Sequence, residues 1–266
     1  MIFDANSNSM AKPLILVTND DGIFAPGIRA LIKVAEKIGD VYVVAPDKPQ
    51  SGMGHAITVG NIVRIQETDY YPKAKKAFAC SGTPVDCVKL AIAHVVPRKP
   101  DLILSGINHG SNNSINVIYS GTMSAAVEGA MEGVPSIGFS HANYSYDLDF
   151  AGLDKYIIKL CKNALEEEFP NKMCLNVNFP DVPADQLKGI KVCRQAEAHW
   201  SDSFEKRQDP MGKDYYWLTG VFEGKDKGED TDIWALKNNY VSVVPTQFDL
   251  TAHHEISVLN TWDYEV

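Results

Sequence analysis

Three short runs, LILVT (14–18), VYVVA (41–45) and DLILS (101–105), are almost wholly apolar instead of alternating apolar with polar residues. A strand can carry such a run only if both of its faces are covered. Helical patterns lie between the runs. One spans Pro26 to Ile38, with proline in the first turn and Gly39 as a stop. Another spans Thr83 to about His94, with Thr83 as N-cap and Pro84 as the first helical residue. A third follows Thr122 in TMSAAVEGAMEG and leads into a further strand, VPSIGFS. This alternation over residues 14–140 predicts an α/β fold, a mostly parallel sheet with helices on both faces. FAGLDKYIIKLCKNALEEEF (150–169) predicts one more amphipathic helix.

The rhythm changes beyond about residue 172. MCLNVNFP, GIKVCRQ, DYYWLTGVF and YVSVVP read as strands separated by turns. FEGKDKGEDTD (222–232) reads as a solvated loop. HWSDSFEKRQDPMGKDYYW (199–217) mixes aromatics with charge and reads as an arm, its aromatics suited to an interface or to core packing. DLTAHHEISVLNTWDYE reads as a terminal helix. The expected division is an N-terminal extension over 1–12, a catalytic core over 13–170, and a smaller β-rich part with the terminal helix over 171–266. MIFDANSNSMAK lacks both a basic and an apolar region, so it reads as a disordered extension and not a signal peptide, with Met10 available as a start.

Composition excludes some functions. The net charge of −9 argues against a nucleic-acid surface, which needs excess Lys and Arg. No apolar run reaches membrane-span length. The five cysteines are odd in number, widely spaced and without a C-x-x-C pair, which predicts buried reduced thiols and a cytoplasmic protein. No G-x-G-x-x-G follows the first strand, against a dinucleotide site.

Ligands of open α/β sheets bind beyond the carboxyl ends of the strands. Asp20 and Asp21 stand just past the first strand, Ser51 follows the second in APDKPQSG, and Asn108 follows DLILS in SGIN. Three loops thus deliver oxygen ligands to one rim, a set suited to a hard divalent cation such as Mg²⁺ or Mn²⁺. A cation would also relieve the repulsion of the two adjacent aspartates. Asp21-Gly22 suits a plain turn equally well. CSGTP (80–84) and YSGTMS (119–124) both place Ser-Gly-Thr before a helix, where free N–H groups favour phosphate, while capping by Thr83 or Thr122 is the simpler reading of either alone. His55, His109, His253 and His254 are taken as structural or surface residues, with His253 able to reach the site if the C-terminal block folds over it. An aspartyl-phosphate phosphatase would need D-x-D where this chain has adjacent aspartates; a non-catalytic nucleotide-binding module is the other alternative.

The blocks TNDDGI, VVAPD…SG, GTPVDCVKLA, PDLILSGIN, VIYSGTMSAAVEGA, LNVNFP and YVSVVPTQFDLTAH occur in the order found in the SurE (survival protein E) nucleotidases, which the chain resembles over roughly residues 12–255. The resemblance implies a Rossmann-like core, a C-terminal extension that takes part in subunit exchange in a homodimer or homotetramer, and a metal-dependent phosphatase acting on nucleoside monophosphates. It implies one divalent cation per subunit, Mg²⁺ or Mn²⁺, held by Asp20, Asp21, Ser51 and Asn108. Asp20 and Asp21 are then catalytic, and Asn19, Ser120, Gly121 and Thr122 bind the phosphate. The chain departs from the family at Gln50, where arginine is common, and at Ser111, where Gly-Pro-Asn is common. Both changes bear on substrate preference and rate more than on metal binding.

Overall fold

The computed structural model describes residues 12–265. The strands in chain order are β1 (Leu14–Thr18), β2 (Asp40–Pro46), β3 (Ile65–Glu67), β4 (Lys76–Cys80), β5 (Leu102–His109), β6 (Ser136–His141), β7 (Met173–Phe179), β8 (Ile190–Val192), β9 (Ala198–Gln208), β10 (Asp214–Gly224) and β11 (Val241–Gln247). The helices are α1 (Pro26–Ala35), α2 (Pro84–Leu90), α3 (Gly121–Met131), α4 (Asp154–Glu166), α5 (Asp232–Lys237) and α6 (Ile256–Leu259).

Among the described residues, nine strands form one sheet in the order β3–β4–β2–β1–β5–β6–β7–β11–β8. The pairs from β4 through β7 are all parallel, as the apolar runs predict. Every residue of β1 is buried. Ile15 and Val17 pack with Ile28, Leu31 and Ile32 of α1 and with Ile157 and Leu160 of α4. Leu16 packs on the other face with Cys87 and Val88 of α2 and Ala125 of α3. Two covered faces are what a run without alternation requires. From β1 the chain moves outward through β2 to β4, then returns to β5 on the other side of β1 and proceeds to β6 and β7. The crevice at this reversal lies between the carboxyl ends of β1 and β5, where doubly wound sheets bind ligands.

Several boundaries differ from the sequence reading. Helix α1 stops at Ala35 because the chain must turn sharply into β2; Asp40 N–H donates to the Pro13 carbonyl at 2.8 Å. Helix α2 stops at Leu90 and continues as a π-helical turn over Ala91–Val95. Helix α3 begins at Gly121, and Ser120, not Thr122, is its N-cap, its hydroxyl oxygen accepting from Met123 N–H at 3.0 Å. The 199–217 arm is most of an antiparallel hairpin of β9 and β10, exposed nearly throughout. Strand β10 takes the start of the expected loop 222–232, and buried Asp232 opens α5 at its other end. The terminal helix is only a 3-10 turn over His253–Glu255 followed by α6, with every residue exposed. With no apolar face buried, so short a segment cannot sustain more turns.

All five cysteines are free and buried, as expected. Burial raises the Cys161 and Cys174 thiols to about 12, which keeps them neutral. No described helix is long and apolar enough to cross a membrane. Apart from Lys12, the extension expected over 1–12 lies outside the described residues.

Candidate active site

Asn19, Asp20 and Asp21 leave the end of β1 directly into the crevice and are 1%, 4% and 8% exposed. Gly22 makes the turn with φ +97°, a conformation open to glycine, and its carbonyl accepts from Asn19 Nδ2 at 2.9 Å. The turn reading and the site reading of this stretch therefore both hold. The turn is what brings two carboxylates together below the rim.

Each neighbouring loop is tied to one of them. Gln50 N–H, one residue before the exposed Ser51, donates to the Asp20 carbonyl at 2.8 Å. His109 N–H, at the end of β5, donates to Asp21 Oδ2 at 3.3 Å, which brings Asn108 to the same crevice. Asn108 spends its amide nitrogen on the Gly110 carbonyl at 2.8 Å, leaving its oxygen as the group available to a cation. Helix α3 arrives end-on: the Thr122 hydroxyl and N–H both donate to the Asp20 carboxylate. A Cβ on Gly121 would stand 2.7 Å from Asp20 Cβ, so glycine alone allows this approach.

The charge balance is unusual. Burial, and then the charge of Asp21, raise Asp20 from 3.8 to about 6. Burial also raises Asp21, against hydrogen bonds from His109 N–H and the Tyr146 hydroxyl. Among the described residues, no Lys, Arg or His forms an ion pair with either aspartate. The buried oxygen of Asn19, Oδ1, has no partner among the described residues. Two buried carboxylates without a counter-cation, with a free amide oxygen beside them, fit a hard divalent cation. No group of three His, Cys, Asp or Glu among the described residues is placed to hold a metal ion.

The second Ser-Gly-Thr loop is not part of the site. Thr83 caps α2 in a reciprocal capping box with Asp86: Thr83 N–H donates to Asp86 Oδ2 at 2.9 Å, and Asp86 N–H donates to Thr83 Oγ1 at 3.1 Å. His253 and His254 lie on the exposed tail, with His253 paired to Asp249 at 2.8 Å. His109, taken as structural from sequence, lines the site. Its Nδ1 is 2.9 Å from the Ser145 carbonyl, and its buried Nε2 has no partner among the described residues. Sequence reasoning missed Tyr146, which stacks on His109 with ring centres 4.6 Å apart and reaches Asp21. It sits in YSYDLDF, a stretch without periodicity or motif, so nothing local marks it.

This geometry agrees with the comparisons. A family model described as "Survival protein SurE" matches residues 15–202. The chain belongs to the SurE family. It is 59% identical over 254 residues to "5'-nucleotidase SurE" of Flavobacterium psychrophilum, covering 96% of this chain and 99% of that one. It is 60% identical over 251 residues to the protein of the same name from Flavobacterium johnsoniae, covering 94% and 97%. The crystal structure of the SurE protein from Aquifex aeolicus superposes with TM-score 0.80 at 38% identity, covering 93% of this chain and 98% of that chain. The family model ends within the hairpin, while the matches to these relatives extend over more than nine tenths of the chain.

Proposed function

We propose that this chain is a metal-dependent 5'-nucleotidase, hydrolysing nucleoside 5'-monophosphates to nucleoside and phosphate, with 3'-nucleotides and short polyphosphate as further substrates. The observation that carries this reading is the buried Asp20–Asp21 pair without a counter-cation, set against the first turn of α3. The names of the relatives supply the nucleotide.

Asp20, Asp21, the Ser51 hydroxyl and the Asn108 amide oxygen would hold one Mg²⁺ or Mn²⁺ per subunit. When bound, such a cation supplies Lewis acidity to the phosphoryl group and an acidified water. The chain's own part is to bind, orient and move the proton. Ser120, Gly121 and Thr122 present the N-terminal end of α3 to the phosphoryl oxygens, where its dipole offsets the charge that develops in the transition state. The resemblance implies that Asn19 binds the phosphate, but its amide nitrogen donates to the Gly22 carbonyl, and its free oxygen, an acceptor, suits the cation side of the site instead. Asp20, oriented by Thr122, accepts the proton of the attacking water.

The five buried thiols support a reducing compartment, the cytoplasm. The exposed aromatics of the hairpin, Trp200 at 38%, Phe204 at 66%, Tyr216 at 57% and Trp217 at 58%, support a homodimer or homotetramer. Phosphate release from 5'- and 3'-nucleotides, measured with Mg²⁺, Mn²⁺ or EDTA, tests the activity. Turnover undiminished by EDTA would refute the metal-dependent reading.

A further inference from the structure

Residues 47–60, which carry Ser51, form an irregular loop over the crevice. Its larger apolar side chains do not anchor it: Met53, Ile57 and Val59 are 47%, 51% and 77% exposed. Polar tethers set its position instead. Gly54 N–H donates to the Tyr119 carbonyl at 3.1 Å, and the Ala56 carbonyl accepts from the Thr83 hydroxyl at 2.8 Å. Thr58 donates to Asp86 through its N–H at 3.1 Å and its hydroxyl at 2.5 Å. A further tether is His55, whose Nε2 is 2.9 Å from Glu128 Oε2.

Glu128 lies in the middle of α3 and is 1% exposed. A buried carboxylate is costly unless paired. Lys89 of α2 supplies one partner, its Nζ 2.5 Å from Glu128 Oε1 and 3.9 Å from Glu132. Burial would raise the Glu128 pKa, but His55 and Lys89 outweigh it and hold the group ionised below the usual range. Lys89 already neutralises Glu128, so the second partner, reaching across from the loop, adds a mechanical link. One helix then holds both halves of the site: its first turn meets Asp20, and its buried carboxylate holds the loop that bears Ser51.

We propose that Glu128 and His55 form a clasp that closes the 47–60 loop and places the Ser51 hydroxyl at the cation rim, making both positioning residues for metal capture. This rests on the reading of Ser51 as a ligand. Titration of the metal-free full-length protein with Mn²⁺ by calorimetry tests it with Ser51→Ala, His55→Ala, the double variant and Asp20→Asn. Each of the first two should weaken Mn²⁺ binding about tenfold or more, the range of losses for outer-shell partners. The double variant should bind no worse than Ser51→Ala, since His55 acts through that hydroxyl. His55→Gln, which keeps a donor, should recover most of the affinity. In the absence of metal, the Gly54 amide should exchange faster in His55→Ala than in wild type. Normal Mn²⁺ binding in His55→Ala beside weakened binding in Ser51→Ala overturns the clasp and leaves the ligand assignment standing. Additive losses in the double variant also overturn it. Normal binding in Ser51→Ala beside lost binding in Asp20→Asn removes the ligand assignment, and the clasp with it.

Discussion

Asp20 contributes to the pH dependence of stability with the opposite sign to a typical surface carboxylate. Its folded-state pKa is raised from 3.8 to about 6, so the native state holds that proton more tightly than the unfolded chain does. The stability this provides is complete below about 3.8 and is lost as pH rises through about 6. Asp86, Asp101 and Glu128 are lowered and slope the other way, so the comparison must isolate Asp20. Asp20→Asn should match wild type at pH 4 in EDTA and exceed it by about 3 kcal/mol at pH 7.5, from a shift of about two units. Urea denaturation at the two pH values measures this. The same variant, and Asp21→Asn, should have no Mn²⁺- or Mg²⁺-dependent phosphatase activity, and full activity in both would refute the metal assignment. Thr122 belongs to the same balance. From sequence its hydroxyl reads as a cap or a phosphate contact, but the structure places it on Asp20. Thr122→Val removes a hydrogen bond that lowers the Asp20 pKa. It should weaken Mn²⁺ binding by about tenfold at pH 6 and less at pH 8, because proton and cation compete for one carboxylate. Equal losses at the two pH values would place the effect elsewhere.

At the scale of the element, α3 links the parts of the site. Its N-cap is local, Ser120 to Met123 N–H at 3.0 Å, while its entry angle depends on Gly121. Gly121→Ala would put a methyl 2.7 Å from Asp20 Cβ, and the nearest atoms all belong to the buried Asp20 side chain. Overpacking of this kind costs about 1–3 kcal/mol. The variant should remain folded with a lowered melting temperature and lose most of its kcat/KM, as the first turn of α3 withdraws from Asp20. A melting temperature and kcat/KM both equal to wild type would show that the contact has no such role. The start of α2 has the same Ser-Gly-Thr sequence but a different partner: there the Thr83 N–H is taken by Asp86 of the same helix, whereas α3 meets a carboxylate from the end of the β1 strand.

At the scale of the molecule, two segments hold large apolar side chains out to solvent. The β9–β10 hairpin shows Phe204, Tyr216, Trp217 and Leu218 to solvent, and the tail shows Leu250 at 94%, Ile256 at 46% and Trp262 at 60%. Phe248, in contrast, packs against Met123 and Ala126 of α3 and is half-buried. Truncation after Asp249 should therefore spare the fold and its melting temperature. It should break the oligomer and lower turnover, although Asp20, Asp21, Ser51 and Asn108 all remain. Size-exclusion chromatography with light scattering, beside a nucleotidase assay, measures both, and a truncated chain that keeps its mass and its turnover would show that the tail serves neither.

Within residues 14–140, β1, β2, β5, β6 and the helices between them were legible because burial on both faces writes itself locally, as unbroken apolar runs. The Asp20-Asp21-Gly22 stretch could be placed at a strand end for the same reason, and Thr83-Pro84 announced a helix start. Strands β3 and β4, at one end of the sheet and partly exposed, carried no such run and were not legible. Helix α5 and the pairing of β11 beside β7 carried no comparable signal. They depend on partners distant in the chain, such as Asp232, whose carboxylate accepts from Ser114 N–H at 2.7 Å and Ala196 N–H at 3.0 Å. The Ser51 loop is the clearest division between the two kinds of information. Its composition marks it as polar and irregular, and its place after a strand puts Ser51 near the rim. That His55 reaches a buried glutamate 73 residues away was decided by the packing of α3 against α2. Periodicity records which face of an element is buried, and a single polar contact between distant residues has no period to record.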